Sequence, residues 1–259
     1  MVITNIYPEN KVSKEMIRQP VELYLSFIIL KNKEKYKFLK EKSDSYIILD
    51  NGSGDLQYTK GIPQGIDALL EAAEYVNANE IVLPDKLFSD ESYDMTIEAL
   101  KKIPENYNRN IAAVVHGSNI KNYLNNMENF VQNKRINTIM ISKDTFLSEG
   151  LWKKKELSAR LEATKELIKL FNKYNTKKQI HWLGGICMQE YVQIPKDIKK
   201  YIRSSDTGMY IAELSQLGGY NLKGKRPENF VIDLDNGNFE WKDVEKLIKD
   251  QKQIMEEKD

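Results

Sequence analysis

The sequence predicts an α/β fold, a single (β/α)8 barrel of the TIM type, on three observations. Short apolar runs rich in β-branched residues alternate along the chain with longer patterns of helical period, the order expected of a parallel sheet with crossover helices. Runs such as AAVV at 112–115 and TIMI at 138–141 are near-continuously apolar, which suits strands covered on both faces. The length, 259 residues, is close to that of one such barrel, and no low-complexity linker divides it. The alternative is an open doubly wound sheet. The Gly-rich turn Asp50-Asn51-Gly52-Ser53-Gly54-Asp55 lacks the G-x-G-x-x-G spacing and does not run directly into a helix, so the barrel is favoured.

The expected strands are Val21–Leu30, Tyr46–Leu49, Glu80–Leu83, Ile111–Val115, Thr138–Ile141, Gln179–Leu183 and Tyr201–Arg203, with an eighth near Phe230–Leu234. Between them the spacing predicts helices over Ile66–Val76, Tyr93–Lys102, Asn119–Gln132, Lys155–Tyr174 and Gln189–Lys199, and a last charged helix over about Trp241–Glu257. Ser89 with Asp90 and Glu91, and Ser118 with Asn119, read as helix starts. The whole chain, 1–259, reads as one domain.

Composition narrows the function classes. Lys and Arg number 39 against 38 Asp and Glu, a net charge of +1, so there is no global basic signature of nucleic-acid binding. Lys153, Lys154 and Lys155, and Lys223, Lys225 and Arg226, form local basic clusters. The single cysteine, Cys187, excludes an internal disulfide and a multi-cysteine zinc site. With two histidines, His116 and His181, a metal site would need carboxylates. No metal and no cofactor is expected. No run of about 18 apolar residues suggests a membrane span, and the start does not read as a signal peptide. A cytoplasmic protein is the expectation.

The chemistry gathers after the strands. Their ends carry Asp50; Pro84-Asp85; His116-Gly117-Ser118; Ser142-Lys143-Asp144; Gly184-Gly185; and Ser204-Ser205-Asp206-Thr207-Gly208. In a barrel all of these meet on one face, where active sites form. Two carboxylates in one pocket suit glycosidic-bond chemistry, one as nucleophile and one as acid then base. A third accepts hydrogen bonds from the N–H groups of a purine edge, and glycines let a flat base approach the backbone. Each residue also has an ordinary alternative. An aspartate after a strand caps a helix, paired glycines make a turn, Cys187 fills a small core site, and Trp182 and Tyr210 either stack a base or pack.

The ordered set resembles a known family. Asp50-Asn51-Gly52-Ser53-Gly54 resembles the DSGG segment of tRNA-guanine transglycosylases, and Ile81-Val82-Leu83-Pro84-Asp85 their next aspartate-bearing strand. Val114-Val115-His116-Gly117-Ser118 sits where that family has V-Q-G-G, and Leu183-Gly184-Gly185 resembles its glycine-containing strand end. Ser205-Asp206-Thr207-Gly208 lies where its nucleophilic aspartate falls. The pattern looks closer still to the phage and genomic-island DpdA-like branch, which inserts 7-deazaguanines into DNA.

The resemblance implies base exchange in a bacterial or phage-infected cell. Asp206 is the implied nucleophile and Asp50 the acid and base. Asp85, His116, Gly117, Ser142, Gly184, Gly185 and Asn51 are the implied base-binding residues. The implied partners are nucleic acid and a free purine or 7-deazaguanine. Two departures bear on this. The tRNA enzymes carry a zinc subdomain with three cysteines and a histidine, for which this chain lacks the cysteines; no zinc is expected, and DNA is favoured over tRNA. His116 also replaces a glutamine, changing the donors and acceptors offered to a base. Alternatives are a tRNA-guanine transglycosylase, a hydrolase that releases a purine base, and a non-catalytic partner subunit.

Overall fold

Alternation of β-branched strands and amphipathic helices closes the chain on itself. The computed structural model describes residues 1–7, 12–41, 44–54, 56, 64–143, 156–207 and 239–258. Eight strands pair in the order β1-β8-β7-β6-β5-β4-β3-β2, every pair parallel. They are β1 (Val2–Asn5), β2 (Val21–Leu25), β3 (Tyr46–Asp50), β4 (Glu80–Val82), β5 (Asn110–Val114), β6 (Thr138–Ser142), β7 (Gln179–Leu183) and β8 (Ile202–Thr207). The fold is a nearly closed single (β/α)8 barrel. Among the described residues the α-helices are α1 (Ser26–Lys31), α2 (Lys33–Tyr36), α3 (Ile66–Val76), α4 (Glu91–Lys102), α5 (Ile120–Gln132), α6 (Glu156–Lys173), α7 (Met188–Gln193), α8 (Lys196–Lys199) and α9 (Trp241–Lys258).

Strand alternation divides the apolar residues into two sets. Val21, Leu23, Ile48, Val82, Ala112, Val114 and Met140 fill the barrel interior. The residues between them, such as Ile47, Leu49, Ile81, Ala113, Ile139 and Ile141, face outward into the core shared with the helices. In α3 the buried residues Ile66, Leu69, Ala72, Ala73 and Val76 recur at helical spacing, and Asn77 ends the helix in the left-handed region at φ 53°. Asn119 caps α5, its side chain accepting from Asn122 N at 2.9 Å, worth about 1 kcal/mol.

The barrel seam between β1 and β2 is sealed by side chains. Thr4 Oγ1 donates to the Val21 carbonyl at 2.9 Å. Gln19 and Asn5 exchange bonds, Asn5 N to Gln19 Oε1 at 2.8 Å and Gln19 Nε2 to Asn5 O at 2.7 Å. Gln251, from α9, accepts from Asn5 Nδ2 at 2.9 Å. The terminal helix therefore buttresses the seam.

Four expectations change. The eighth strand is β1, at the start of the chain; Phe230–Leu234 lies outside the described residues, as do Lys153–Lys155, Lys223, Lys225, Arg226, Asp144 and Tyr210. The Val21–Leu30 run is a strand to Leu25 and then helix α1, because a short apolar run satisfies either period. Gln189–Lys199 is two helices, broken before Pro195, whose ring cannot continue α7. The last strand runs on through Thr207, so Asp206 lies in β8 and not after it. Among the described residues no helix is long and apolar enough to cross a membrane.

Candidate active site

Because all eight strands are parallel, their C-terminal ends share one rim. Asp50 closes β3 on the inward-facing parity of Ile48 and accepts the Gly52 N–H at 2.9 Å. Gly52 holds φ +73°, and a Cβ there would lie 2.5 Å from the Phe27 ring, so the turn that presents Asp50 requires glycine. Asp85 follows β4. Its Oδ2 meets His116 Nε2 at 2.7 Å and its Oδ1 accepts from Asn51 Nδ2 at 3.2 Å. Ser142 ends β6 and is buried.

Asp206 is held from β7. Gly184 N donates to its Oδ1 at 3.0 Å and its Oδ2 at 3.2 Å, and His181 Nε2 lies 3.0 Å from Oδ1. Gly184 and Gly185 take φ +90° and +88°, which turns the Gly184 N–H towards the carboxylate. From behind, Arg160 of α6 fixes this turn, donating to the Gly185 carbonyl at 2.8 Å and the Leu183 carbonyl at 3.3 Å while covering the Trp182 ring. Trp182 thus packs outward, away from the rim.

Around the ring β8 and β4 stand opposite one another: β8-β7-β6-β5-β4 one way, β8-β1-β2-β3-β4 across the seam the other. Asp206 and the Asp85–His116 pair therefore face each other across the mouth, with Asp50 on β3 to one side. Asp50, Asp85 and Asp206 are each less than a tenth exposed, and both histidines are buried.

Some of the anticipated residues have structural work. Asn51 Nδ2 also donates to the Leu83 carbonyl at 2.8 Å, and its Oδ1 accepts from Ser53 N at 2.6 Å, tying the end of β3 to β4. Gly117 lies against α5, where a Cβ would stand 2.5 Å from Tyr123 N. His116 approaches the rim through Asp85, to which its Nε2 is tied. His181 was missed by sequence reading. Its signal is strand alternation, which sets it on the same face as Leu183, one of the residues that packs on the interior cluster.

The opposite end of the interior carries a second polar group. Glu80, fully buried at the start of β4, takes both terminal nitrogens of Arg203 at 2.7 and 3.0 Å, the Tyr46 hydroxyl at 2.8 Å and Thr138 Oγ1 at 3.0 Å. Burial first, and then the Glu80 charge, push the Tyr46 phenol up to about 12. A cavity of about 300 Å³ lies outside this end, lined by Tyr46, Asn79, Arg109 and Asn110 among others; it is remote from the aspartates. Cys187 is buried, and burial, then Glu190, push its thiol up to about 11, which disfavours the thiolate at neutral pH. Among the described residues no cluster of three or more His, Cys, Asp or Glu is placed to hold a metal ion.

No protein-family model and no curated protein matches the chain. Among solved structures it is similar to an HpcH/Hpal aldolase/citrate lyase family protein from Burkholderia cenocepacia, at 7% identity and a TM-score of 0.50, over 80% of this chain and 87% of that one. It is also similar to phosphoribosyl anthranilate isomerase from Thermococcus kodakaraensis, at 9% identity and a TM-score of 0.46, over 80% and 87%. At such identities the first likeness shows the (β/α)8 fold and nothing finer.

Proposed function

We propose that the chain is an enzyme, a guanine transglycosylase that exchanges guanine in nucleic acid, with DNA as the favoured polymer, for a 7-deazaguanine. The observation that carries this reading is the placement of Asp206 on β8, across the barrel mouth from the Asp85–His116 pair and from Asp50 on the neighbouring β3. Asp206 is held by an imidazole and a backbone N–H. These two contacts orient the carboxylate that the reading makes the nucleophile.

A nucleotide laid across the mouth has its sugar at Asp206 and its purine edge at Asp85. A carboxylate oxygen attacks C1′, forming a C–O bond as the C1′–N9 bond breaks. The bonding pair leaves with guanine, which takes a proton from Asp50. An incoming base then attacks C1′ through N9 and gives its N9 proton to Asp50, while Asp206 departs as carboxylate. Atoms and charge balance with no further reactant. Within a duplex the target nucleotide must first be flipped out. The preference for DNA rests on the resemblance and on the single cysteine, which cannot supply a three-cysteine zinc subdomain.

The test is incorporation of labelled guanine into duplex DNA, single-stranded DNA and unmodified tRNA, beside an Asp206→Ala variant. Label in DNA with the native protein alone is the expected result. Label in tRNA alone would move the substrate to tRNA. Release of free base without an added acceptor would replace exchange by hydrolysis, and equal incorporation by the variant would remove Asp206 from the chemistry.

A further inference from the structure

We propose that His181 is the positioning residue that selects which oxygen of Asp206 reacts, and that its own tautomer is fixed from the barrel floor through Ser204 and Arg203. The inference rests on the base-exchange reading for its chemical consequence, but its structural half stands apart.

The chain of bonds has one direction. Arg203 can only donate. Two of its nitrogens hold Glu80, and its Nε points at Ser204 Oγ, 3.3 Å away. A β-bulge makes this possible. Ile180 pairs with Ile202 and His181 with Ser204, leaving Arg203 as the extra residue, so Arg203 and Ser204 both reach the interior. Ser204 has one hydroxyl hydrogen. Accepting from Arg203, it gives that hydrogen to His181 Nδ1, 2.8 Å away. Nδ1 is then an acceptor, and the ring proton sits on Nε2, which faces Asp206 Oδ1 at 3.0 Å. The opposite tautomer would set a bare nitrogen against a carboxylate.

Asp206 is thereby made asymmetric. Oδ1 carries two donors, His181 Nε2–H and Gly184 N–H, each at 3.0 Å, whereas among the described residues Oδ2 has only the longer Gly184 contact at 3.2 Å. Oδ2 is the oxygen with lone pairs to spare for C1′. Once it is esterified, Oδ1 is the ester carbonyl, and the same two donors draw charge onto it and ease departure of Asp206 in the second half-reaction. Loss of His181 should therefore slow resolution of the covalent intermediate as well as the overall exchange.

The test uses the full chain labelled with 15N-histidine, which has two imidazoles, told apart by a His116→Gln variant. Long-range proton–nitrogen spectra at neutral pH should show His181 neutral with its proton on Nε2, and Ser204→Ala should mix the tautomers. A His181 protonated on Nδ1, or on both nitrogens, would overturn the relay. In exchange assays His181→Leu should lose on the order of 100-fold and raise the fraction of protein covalently bound to oligonucleotide. His181→Gln, which restores an N–H donor, should recover part of the rate. Equal rates for the two variants would overturn the role given to His181. Should His181→Leu fail to fold, Ser204→Ala carries the kinetic comparison: it should slow exchange and raise the bound fraction, and native behaviour would overturn the relay. The expected tautomer in a protein that exchanges no base would leave the relay standing and refute the proposed function.

Discussion

The floor and the mouth of this barrel treat a buried carboxylate in opposite ways. At the floor Glu80 is neutralised by the paired nitrogens of Arg203 and closed off by Tyr46 and Thr138. At the mouth Asp206 receives an imidazole and a backbone N–H, and Asp85 an imidazole and an amide. Strand β8 contributes to both, with Arg203 below and Asp206 above. A carboxylate locked bidentately to a guanidinium is a structural group; one oriented by an imidazole and an amide is presented at the mouth. On the proposed function the barrel separates stability from reactivity along a single strand.

The largest expected effect breaks this comparison at the mouth. Asp206→Asn should lower exchange by on the order of 10⁴-fold or more while costing only about 1 kcal/mol of stability. Glu80→Gln should do the reverse. It leaves Arg203, whose side chain is 16% exposed, without its counter-charge and should cost about 3 kcal/mol, the low end for a broken buried pair, a fall in Tm of roughly 10 °C for a chain of this size. Thermal melts and exchange rates on the same preparations check both, and a Glu80 variant as stable as the native chain would end the assignment of the floor.

A smaller effect is expected at the glycine turn. Gly184→Ala places a side chain at φ +90° and a Cβ 2.9 Å from Lys143 Cγ. The strain, about 1–3 kcal/mol, should be relieved by tilting the N–H away from Asp206, so exchange should fall roughly tenfold, the equivalent of about 1.4 kcal/mol. Unchanged exchange would show that the Gly184 donor is dispensable.

The smallest concerns pH. The Tyr46 phenol ionises near 10 in an unfolded chain and at about 12 here, so folding favours the protonated form. Its contribution to stability is complete below pH 10 and is lost as the pH climbs through about 12. Denaturant titrations should find the native chain more stable than Tyr46→Phe at pH 8, with a gap that narrows over that alkaline window. A constant gap would contradict the shift.

How much of this was legible in the sequence follows the physics of each segment. Helix α3 is read at its observed bounds because its apolar residues are periodic and bounded by Gly65 and Asn77. The order of Asp50, Asp85, His116, Gly184 and Asp206 along the chain located the rim, since parallel strands put every C-terminal end on one face. β1 escaped because four residues of VITN give too short a pattern to separate from a loop. β8 was cut short because Ser204, Ser205, Asp206 and Thr207 are polar, and propensity takes polar residues out of strands. Their place at the mouth and its supports, paired with β7 and β1, holds them in the strand against that preference. The role of His181 depends on a bulge, and no periodicity announces a bulge.

The central claim is that Asp206 forms the covalent link. Protein incubated with guanine-containing oligonucleotide, in DNA and tRNA forms, should be denatured, digested and mapped by mass spectrometry. A nucleotide that has lost its base should be attached through C1′ to the peptide bearing Asp206, and be absent from Asp206→Asn. An adduct on the peptide bearing Asp50 or Asp85, or exchange that proceeds with no adduct at all, would contradict it.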